Sequence, residues 1–278
     1  MAAALARSLS DPLHVADWLT QNSVRHWDRI DFEATACDDV IMNQLLGELE
    51  RHNNLVHRRP VDNTWRLSLP ATWDAYLATL SKSHRKQIRR CQRDMLQSGR
   101  VKVSWVTDEQ QFDEAWQLLV TLHQDRHRAL GRPGSFHSER YFLFHRDLAR
   151  EMLRTGNLWL GSVEVDGRPV AADYQFVSGD TVFAYQGGID PRALDIGPGQ
   201  LMIMASIRRA IDEGLRTFDF LRGDEPYKAH WRAKPHPAHH IRVVKRTPSN
   251  QVRKGLWVAG DHLKQWIKSS FGAPAGAF

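Results

Sequence analysis

Apolar and polar positions alternate along VKVSWV (101–106), a run rich in β-branched residues, and this spacing predicts a strand. Thr107 and Asp108 offer an N-cap to the next segment, where Phe112, Trp116, Leu119 and Leu122 recur at helical spacing. GRPGS (131–135) breaks the chain. A second helix, over SERYFLFHRDLAREMLRTG, closes on Gly156 as its C′ glycine. Three alternating runs follow: NLWLGSVEV, RPVAADYQFV and TVFAYQGG. Asp166-Gly167 and Gly179-Asp180 separate them, so residues 157–188 are predicted to form an antiparallel meander. IDPRALDIGPG (189–199) has no regular pattern. QLMIMASIRRAIDEG then reads as a helix ending at Gly214, TFDFL (217–221) as a buried strand, RGDEPYKAHW as a polar loop or short helix, and HIRVVKR (240–246) as the last strand.

The first hundred residues give a helix over DPLHVADWLTQN, a strand over DRIDFEA and a helix over DDVIMNQLLGELERHN. NLVHRR and WRLSL read as two strands. TWDAYLATL and SKSHRKQIRRCQRDMLQ read as helices that could run on as one. The element order of 11–69 echoes that of 199–246, and HWDRIDF (26–32) resembles LRTFDFL (215–221). A weak internal repeat and the ordinary recurrence of α/β order both account for this.

Composition narrows the class. With 278 residues, 42% hydrophobic and 25% charged, the chain can bury a core, and disorder, collagen and coiled coil are excluded. Ten Trp and eleven Phe point to a well-filled core or an aromatic-lined cleft. Cys37 and Cys91 have no paired spacing, which excludes a disulfide framework and points to a reducing, cytoplasmic setting. No run approaches the ~20 apolar residues of a membrane span. Arg7 interrupts the apolar start, so no signal peptide is expected. The net charge of +6 suits a polyanionic partner: nucleic acid, an acidic membrane surface or a phosphorylated cofactor.

Two segments carry candidate chemistry. Gly197-Pro198-Gly199 precedes a helix start, where unpaired N–H groups and the helix dipole attract phosphate and glycines let an anion come close. An ordinary glycine–proline turn is the simpler reading of those three residues alone. Neither a GxxxxGK[ST] loop nor GxGxxG is present. The second segment, FDFLRGDEPYKAHW (218–231), crowds Asp219, Arg222, Asp224, Glu225, Tyr227, Lys228 and Trp231 onto a strand end and its loop. Asp219 alternates away from Phe218 and Phe220. A binding loop and a structural ion-pair network around a core Trp both fit this set.

In these two segments the sequence resembles the GNAT-type acyltransferases of the cellulose-biosynthesis-protein (CelD-like) group, relatives of the FemABX peptidyltransferases. SKSHRKQIRRCQRDM also resembles the basic helix that joins the two halves of such proteins. The resemblance implies an α/β (α+β) fold with a mixed, mostly antiparallel sheet flanked by helices. A partial second GNAT-like half (1–80) and the joining helix (81–98) would precede the acyltransferase domain (99–248), with an amphipathic tail (249–278) behind it. It implies acetyl-CoA or another acyl-CoA as co-substrate and no metal. The pyrophosphate would be held around Gly197, Gly199 and Gln200, and the pantetheine arm would lie beside Tyr185, Gln186 and Gly187. Leu194 departs from the pattern, because relatives carry Arg or Gln three residues before the first motif glycine.

A thioester needs no covalent nucleophile. An acceptor amine or hydroxyl must lose a proton, lie in line and meet a stabilised oxyanion. Asp219 or Asp173 could take the proton and Tyr227 return one to the thiolate. For Asp173, in ADYQF, a solvent-facing strand position is the simpler reading. Arg222, Asp224, Lys228, Trp231, Arg85 and Arg89 are the expected acceptor-binding residues. The expected acceptor is a small molecule or glycan: a sugar, a polysaccharide precursor or another envelope component. tRNA enters only in the alternative of an aminoacyl-tRNA-dependent peptidyltransferase. A catalytically silent binding module is the third reading. The tail around Leu256, Trp257, Leu263, Trp266 and Ile267 could touch an anionic membrane, though packing on the domain is simpler. His123 and His127, one turn apart, read as a solvated helix face, and His236, His239 and His240 as a loop.

Overall fold

The computed structural model describes residues 12–21, 27–96 and 98–250; the amphipathic tail lies outside these. Its elements run α1 (Pro12–Thr20), β1 (Arg29–Ala36), α2 (Val40–Arg51), β2 (Asn54–Ser68), α3 (Trp73–Thr79), α4 (Lys82–Cys91), β3 (Val101–Trp105), α5 (Glu109–Ala129) and α6 (Glu139–Arg154). Then come β4 (Leu158–Val165), β5 (Arg168–Ser178), β6 (Thr181–Ile189), α7 (Pro198–Asp212), β7 (Thr217–Arg222), α8 (Pro226–His230) and β8 (Lys234–Lys245). The chain divides into two compact units, residues 1–63 with 237–278, and residues 64–236.

In the first unit β1 pairs antiparallel with β8, from Arg29↔Val244 to Ala36↔Ala238. Leu45, Leu46 and Leu49 recur on one face of α2 and pack with Ala16 of α1 and with Ile241 and Val243 of β8. Asp39 caps α2 by accepting from the Met42 amide.

The second unit holds a sheet in the order β2-β7-β6-β5-β4-β3. β6 and β7 are parallel, while the other neighbours β3–β4, β4–β5, β5–β6 and β2–β7 are antiparallel. The Asp166-Gly167 turn forms as expected, with φ of 50° and 78°. The period of two splits the core between the sheet's faces. Trp159, Val163, Ala171, Val182 and Phe218 pack on Leu201, Met202, Met204 and Ile207 of α7. Leu158, Leu160 and Tyr174 pack on Phe112, Trp116 and Leu119 of α5 and Ala149 of α6. Each fully buried Val, Leu, Ile, Met or Phe side chain among these contributes about 1.5–3 kcal/mol. The expected mixed, mostly antiparallel sheet between helices is what forms.

The structure corrects three local readings. NLVHRR and WRLSL are one 15-residue strand, because exposed Pro60 and the polar residues after it stay extended and open no turn. The two helices at 73–91 are separate. Leu80 is extended, and Ser81 caps α4 by accepting from the His84 amide. His236, His239 and His240 belong to strand β8, not a loop. Among the described residues no helix is long and apolar enough to cross a membrane.

Candidate active site

β6 and β7 pair only at their starts, Thr181↔Thr217, Val182↔Phe218 and Phe183↔Asp219. Beyond these they part around a cavity of about 480 Å³, lined on one side by residues 184–189 of β6 and on the other by Phe218, Phe220 and Arg222 of β7. Arg126, Ile189, Gly199, Ile203 and Tyr227 also line a wider cleft of about 1440 Å³, bordered by α4 and by the turn into α7.

The first turn of α7 opens onto both spaces. Gly197 takes the left-handed conformation (φ 70°, ψ 51°) that ends the 3-10 turn Leu194–Ile196 and starts the helix, with Pro198 at its first position. A β-carbon at Gly199 would meet only Ile189 Cγ2, at 4.0 Å. Apart from the helix's own first turn, no other atom of the described residues lies within 4 Å of that position, and the helix's positive end points there; Pro198 supplies no N–H, and the Gln200 amide donates to the Gly197 carbonyl at 3.0 Å.

Asp173 of β5 stands in the cavity wall beside Gly187 of β6, its partner across the ladder. A β-carbon at Gly187 would run into Asp173 Oδ1, so only glycine leaves room for the carboxylate there. Gln175 Nε2 donates to Asp173 Oδ2 at 3.0 Å and to Ser206 Oγ at 2.9 Å, fixing the carboxylate from the α7 side. Burial pushes the Asp173 carboxyl up to about 6, against a smaller downward pull from Gln175. This corrects the solvent-facing reading. Tyr227, on the short helix α8, borders the same cavity; burial and the charges of Glu225 and Asp173 raise its phenol.

β6 carries a bulge at this point. Tyr174 pairs with Gln186 but Gln175 pairs with Ala184, so Tyr185 is skipped. A carboxylate near neutrality, a bulged strand edge and an open helix N-terminus thus border one continuous space. This set can accept a proton, polarise a carbonyl and hold an anion.

A model of the acetyltransferase (GNAT) domain matches residues 82–229, more than half of the sequence. The chain belongs to this family. It is an acyltransferase, and the GNAT domain in general uses acyl-CoA. No curated protein matches the sequence. Among solved structures the chain is similar to FemX, at 11% identity and a TM-score of 0.61, over 86% of this chain and 77% of that one. It is also similar to L-PGS from Bacillus licheniformis, at 10% identity and a TM-score of 0.52, over 87% and 75%. A conserved protein of unknown function from Bacteroides thetaiotaomicron aligns at 14% identity and a TM-score of 0.54, over 87% and 75%. These likenesses are of fold.

Of the expected site residues in this GNAT domain, Asp173, Tyr185, Gln186, Gly187, Gly197, Gly199, Gln200, Arg222 and Tyr227 border the two spaces. Asp219 does not. Phe218 and Phe220 face the cavity, so the alternation turns Asp219 to the other face, where it is 3% exposed. There it accepts from the Leu221 amide at 2.7 Å and from Arg66 Nε of β2 at 3.1 Å. Burial raises its pKa, and those donors oppose the shift.

Lys228 is 2% exposed and holds the loop together. Its ammonium donates to the carbonyls of Arg222 (2.8 Å) and Gly223 (3.0 Å) and pairs with Glu225 (2.8 Å). It therefore ties the loop together while also bordering the smaller cavity. The loop needs the tie, since Leu221 is left-handed at φ 58°. Asp224 accepts from Trp65 Nε1 at 2.8 Å. Trp231 is buried at the floor of the wide cleft, edge-on to His84.

Arg85 and Arg89 are also corrected, because α4 turns Ser83, Gln87 and Arg90 to the cleft and leaves Arg85 and Arg89 outside its lining. His123 is buried in α5 rather than on a solvated face. Sequence reasoning missed Arg126, Tyr141 and His145. Arg126 borders both spaces, and no periodic signal marks it among the other α5 arginines. Among the described residues no group of three or more His, Cys, Asp or Glu is placed to hold a metal.

Proposed function

We propose that the protein is an acyl-CoA-dependent N- or O-acyltransferase, with acetyl-CoA the expected donor. The acceptor would be a sugar, a polysaccharide precursor or another envelope-related molecule. One observation carries this reading: the space between the parted strands β6 and β7 joins the open first turn of α7 to Asp173. The residues present suit a pyrophosphate-bearing donor, since Gly199 leaves its cradle unfilled and Gly187 clears the bulged strand edge.

An acyl thioester supplies an activated carbonyl. The chain has four tasks. The first-turn amides around Gly197, Gly199 and Gln200 hold the anionic end of the donor. Backbone N–H at the β6 bulge, Tyr185–Gly187, polarises the carbonyl. Asp173, ionised above about pH 6, removes the acceptor's proton as its nitrogen or oxygen bonds to the carbonyl carbon. Tyr227, un-ionised at neutral pH, can give a proton to the leaving sulfur.

The DFLRGDEPYK segment supports placement in the CelD-like group within the GNAT family, with residues 1–80 as a partial second half. A cytoplasmic setting accords with the cysteine usage. The fold shared with FemX and L-PGS over most of the chain, and the arginines 90, 100, 126 and 232 around the wide cleft, favour an aminoacyl-tRNA-dependent transfer as the second reading. Release of free CoA during turnover against sugar amines, amino acids and lipid-linked sugars tests the first reading. Thermal stabilisation by tRNA and none by acetyl-CoA would replace it with the second. Stabilisation by acetyl-CoA with no thioester turnover would leave a silent binding module.

A further inference from the structure

Behind the β6 bulge runs a chain of five polar side chains that the catalytic scheme does not use. Gln186 Nε2 donates to the Tyr141 hydroxyl at 3.2 Å, and Tyr141 donates to the Tyr185 hydroxyl at 3.2 Å. Tyr185, having accepted that bond, donates to His145 Nε2 at 3.1 Å. At the other end His123 Nε2 lies 3.1 Å from Gln186 Oε1 and its Nδ1 lies 3.2 Å from Gln124 Oε1; both oxygens only accept, so a neutral ring donates to one of the two. His123 comes from α5, Tyr141 and His145 from α6, and Tyr185 and Gln186 from the bulge itself.

The surroundings fix this chain. His145 is 6% exposed, and among the described residues its Nδ1 has no hydrogen-bond partner. Burial holds the pKa of both histidines below the ordinary value, so both rings are neutral. A neutral His145 that accepts at Nε2 carries its proton on the orphan Nδ1. Leaving a buried donor unpaired opposes folding. Aromatic rings close in around it: Tyr141 at 4.2 Å, Tyr185 at 5.0 Å and Phe144 at 5.0 Å between centroids. Gly188 lets the α5 backbone at Leu122 and His123 lie directly against β6, where a β-carbon would collide with it.

We propose that His123, Tyr141 and His145 are positioning residues, and that this directed hydrogen-bond chain clamps the β6 bulge so that its backbone meets the reacting carbonyl at a fixed place. The proposal rests on the acyl-transfer reading of the same cavity. A bulge leaves one residue outside the ladder and would otherwise be the softest part of the strand. Here the Tyr185 and Gln186 side chains bond to α5 and α6 while both residues border the cavity.

The test compares Tyr141→Phe, His145→Gln and His145→Leu with the parent protein. Gln keeps an acceptor near the Nε2 position, whereas Leu fills the apolar surroundings and accepts nothing. A clamp predicts that His145→Leu and Tyr141→Phe lower kcat roughly 10- to 100-fold, the scale of an ångström-sized misplacement. KM for acyl-CoA should stay within about twofold, and His145→Gln should restore most of the rate. Amide hydrogen exchange should quicken at residues 184–188 while β4 stays protected. A role in packing alone predicts the reverse order, with Leu milder than Gln. That order, or unchanged exchange at 184–188 in Tyr141→Phe, overturns the proposal. Exchange needs no donor. If acyl-CoA neither binds nor turns over while the exchange pattern holds, the donor reading falls and the clamp stands.

Discussion

The Asp173 carboxylate occupies the space that a side chain at Gly187 would need, on the neighbouring strand of the same sheet. Gly187→Ala should therefore displace the carboxylate without straining the backbone. We expect a loss of roughly 10²-fold in kcat, the cost of a misplaced reacting group. Acyl-CoA affinity by calorimetry and the melting temperature should change little. Full activity in this variant would take Asp173 out of the reaction.

Asp173→Asn separates catalysis from stability. A general base typically contributes ~10²–10⁴-fold, and turnover should fall within that range. The folded carboxyl sits at about 6, above its ordinary 3.8, so the native state favours the protonated form. Its stabilising contribution is complete below 3.8 and is lost as pH rises through 6. At pH 8 the ionised carboxylate burdens the fold, and Asp173→Asn should melt higher than the parent there. The two should converge at pH 4.

The same shift sets the rate profile. With Asp173 as base, kcat/KM should rise about tenfold per pH unit below 6 and level off above it. A flat profile between pH 5 and 7 would assign the proton to another group.

Gly199→Val tests the donor site. Only Ile189 Cγ2 lies near the position of the new β-carbon, so the fold should persist. The side chain would stand in front of the α7 first turn and abolish acyl-CoA binding. Unchanged affinity would move the pyrophosphate elsewhere.

Asp219→Asn should behave oppositely to Asp173→Asn. It weakens a charge-assisted bond to Arg66 on the closed face of the sheet and should cost about 1–3 kcal/mol of stability. The folded fraction should keep its specific activity. A stable protein with little turnover would return Asp219 to the reaction.

From residue 99 onward, periodicity and turn chemistry marked nearly every element, because they are local properties of the chain. Asp166-Gly167 carried its hairpin, Asp108 its cap, and Gly156 and Gly214 their helix ends. Gly197-Pro198-Gly199 likewise marked the start of α7. In the first hundred residues the signals were weaker, and Pro60 divided on paper a strand that the backbone keeps whole.

Asp173 and Asp219 show where locality ends. Each is a lone carboxylate in an apolar strand, and alternation places each on a face without saying what the face meets. Strand pairing decides it: Asp173 stands beside a glycine at the edge of a cavity, and Asp219 lies against Arg66 on the closed side. Lys228 and α4 repeat the lesson, since only the folded loop turns an ammonium onto three carbonyls and only the packed helix chooses Arg90 over Arg85. The sequence by itself determined the elements, their order and the chemistry available in each. The tertiary structure alone decided which of those groups share a space, because that depends on contacts between residues far apart in the chain.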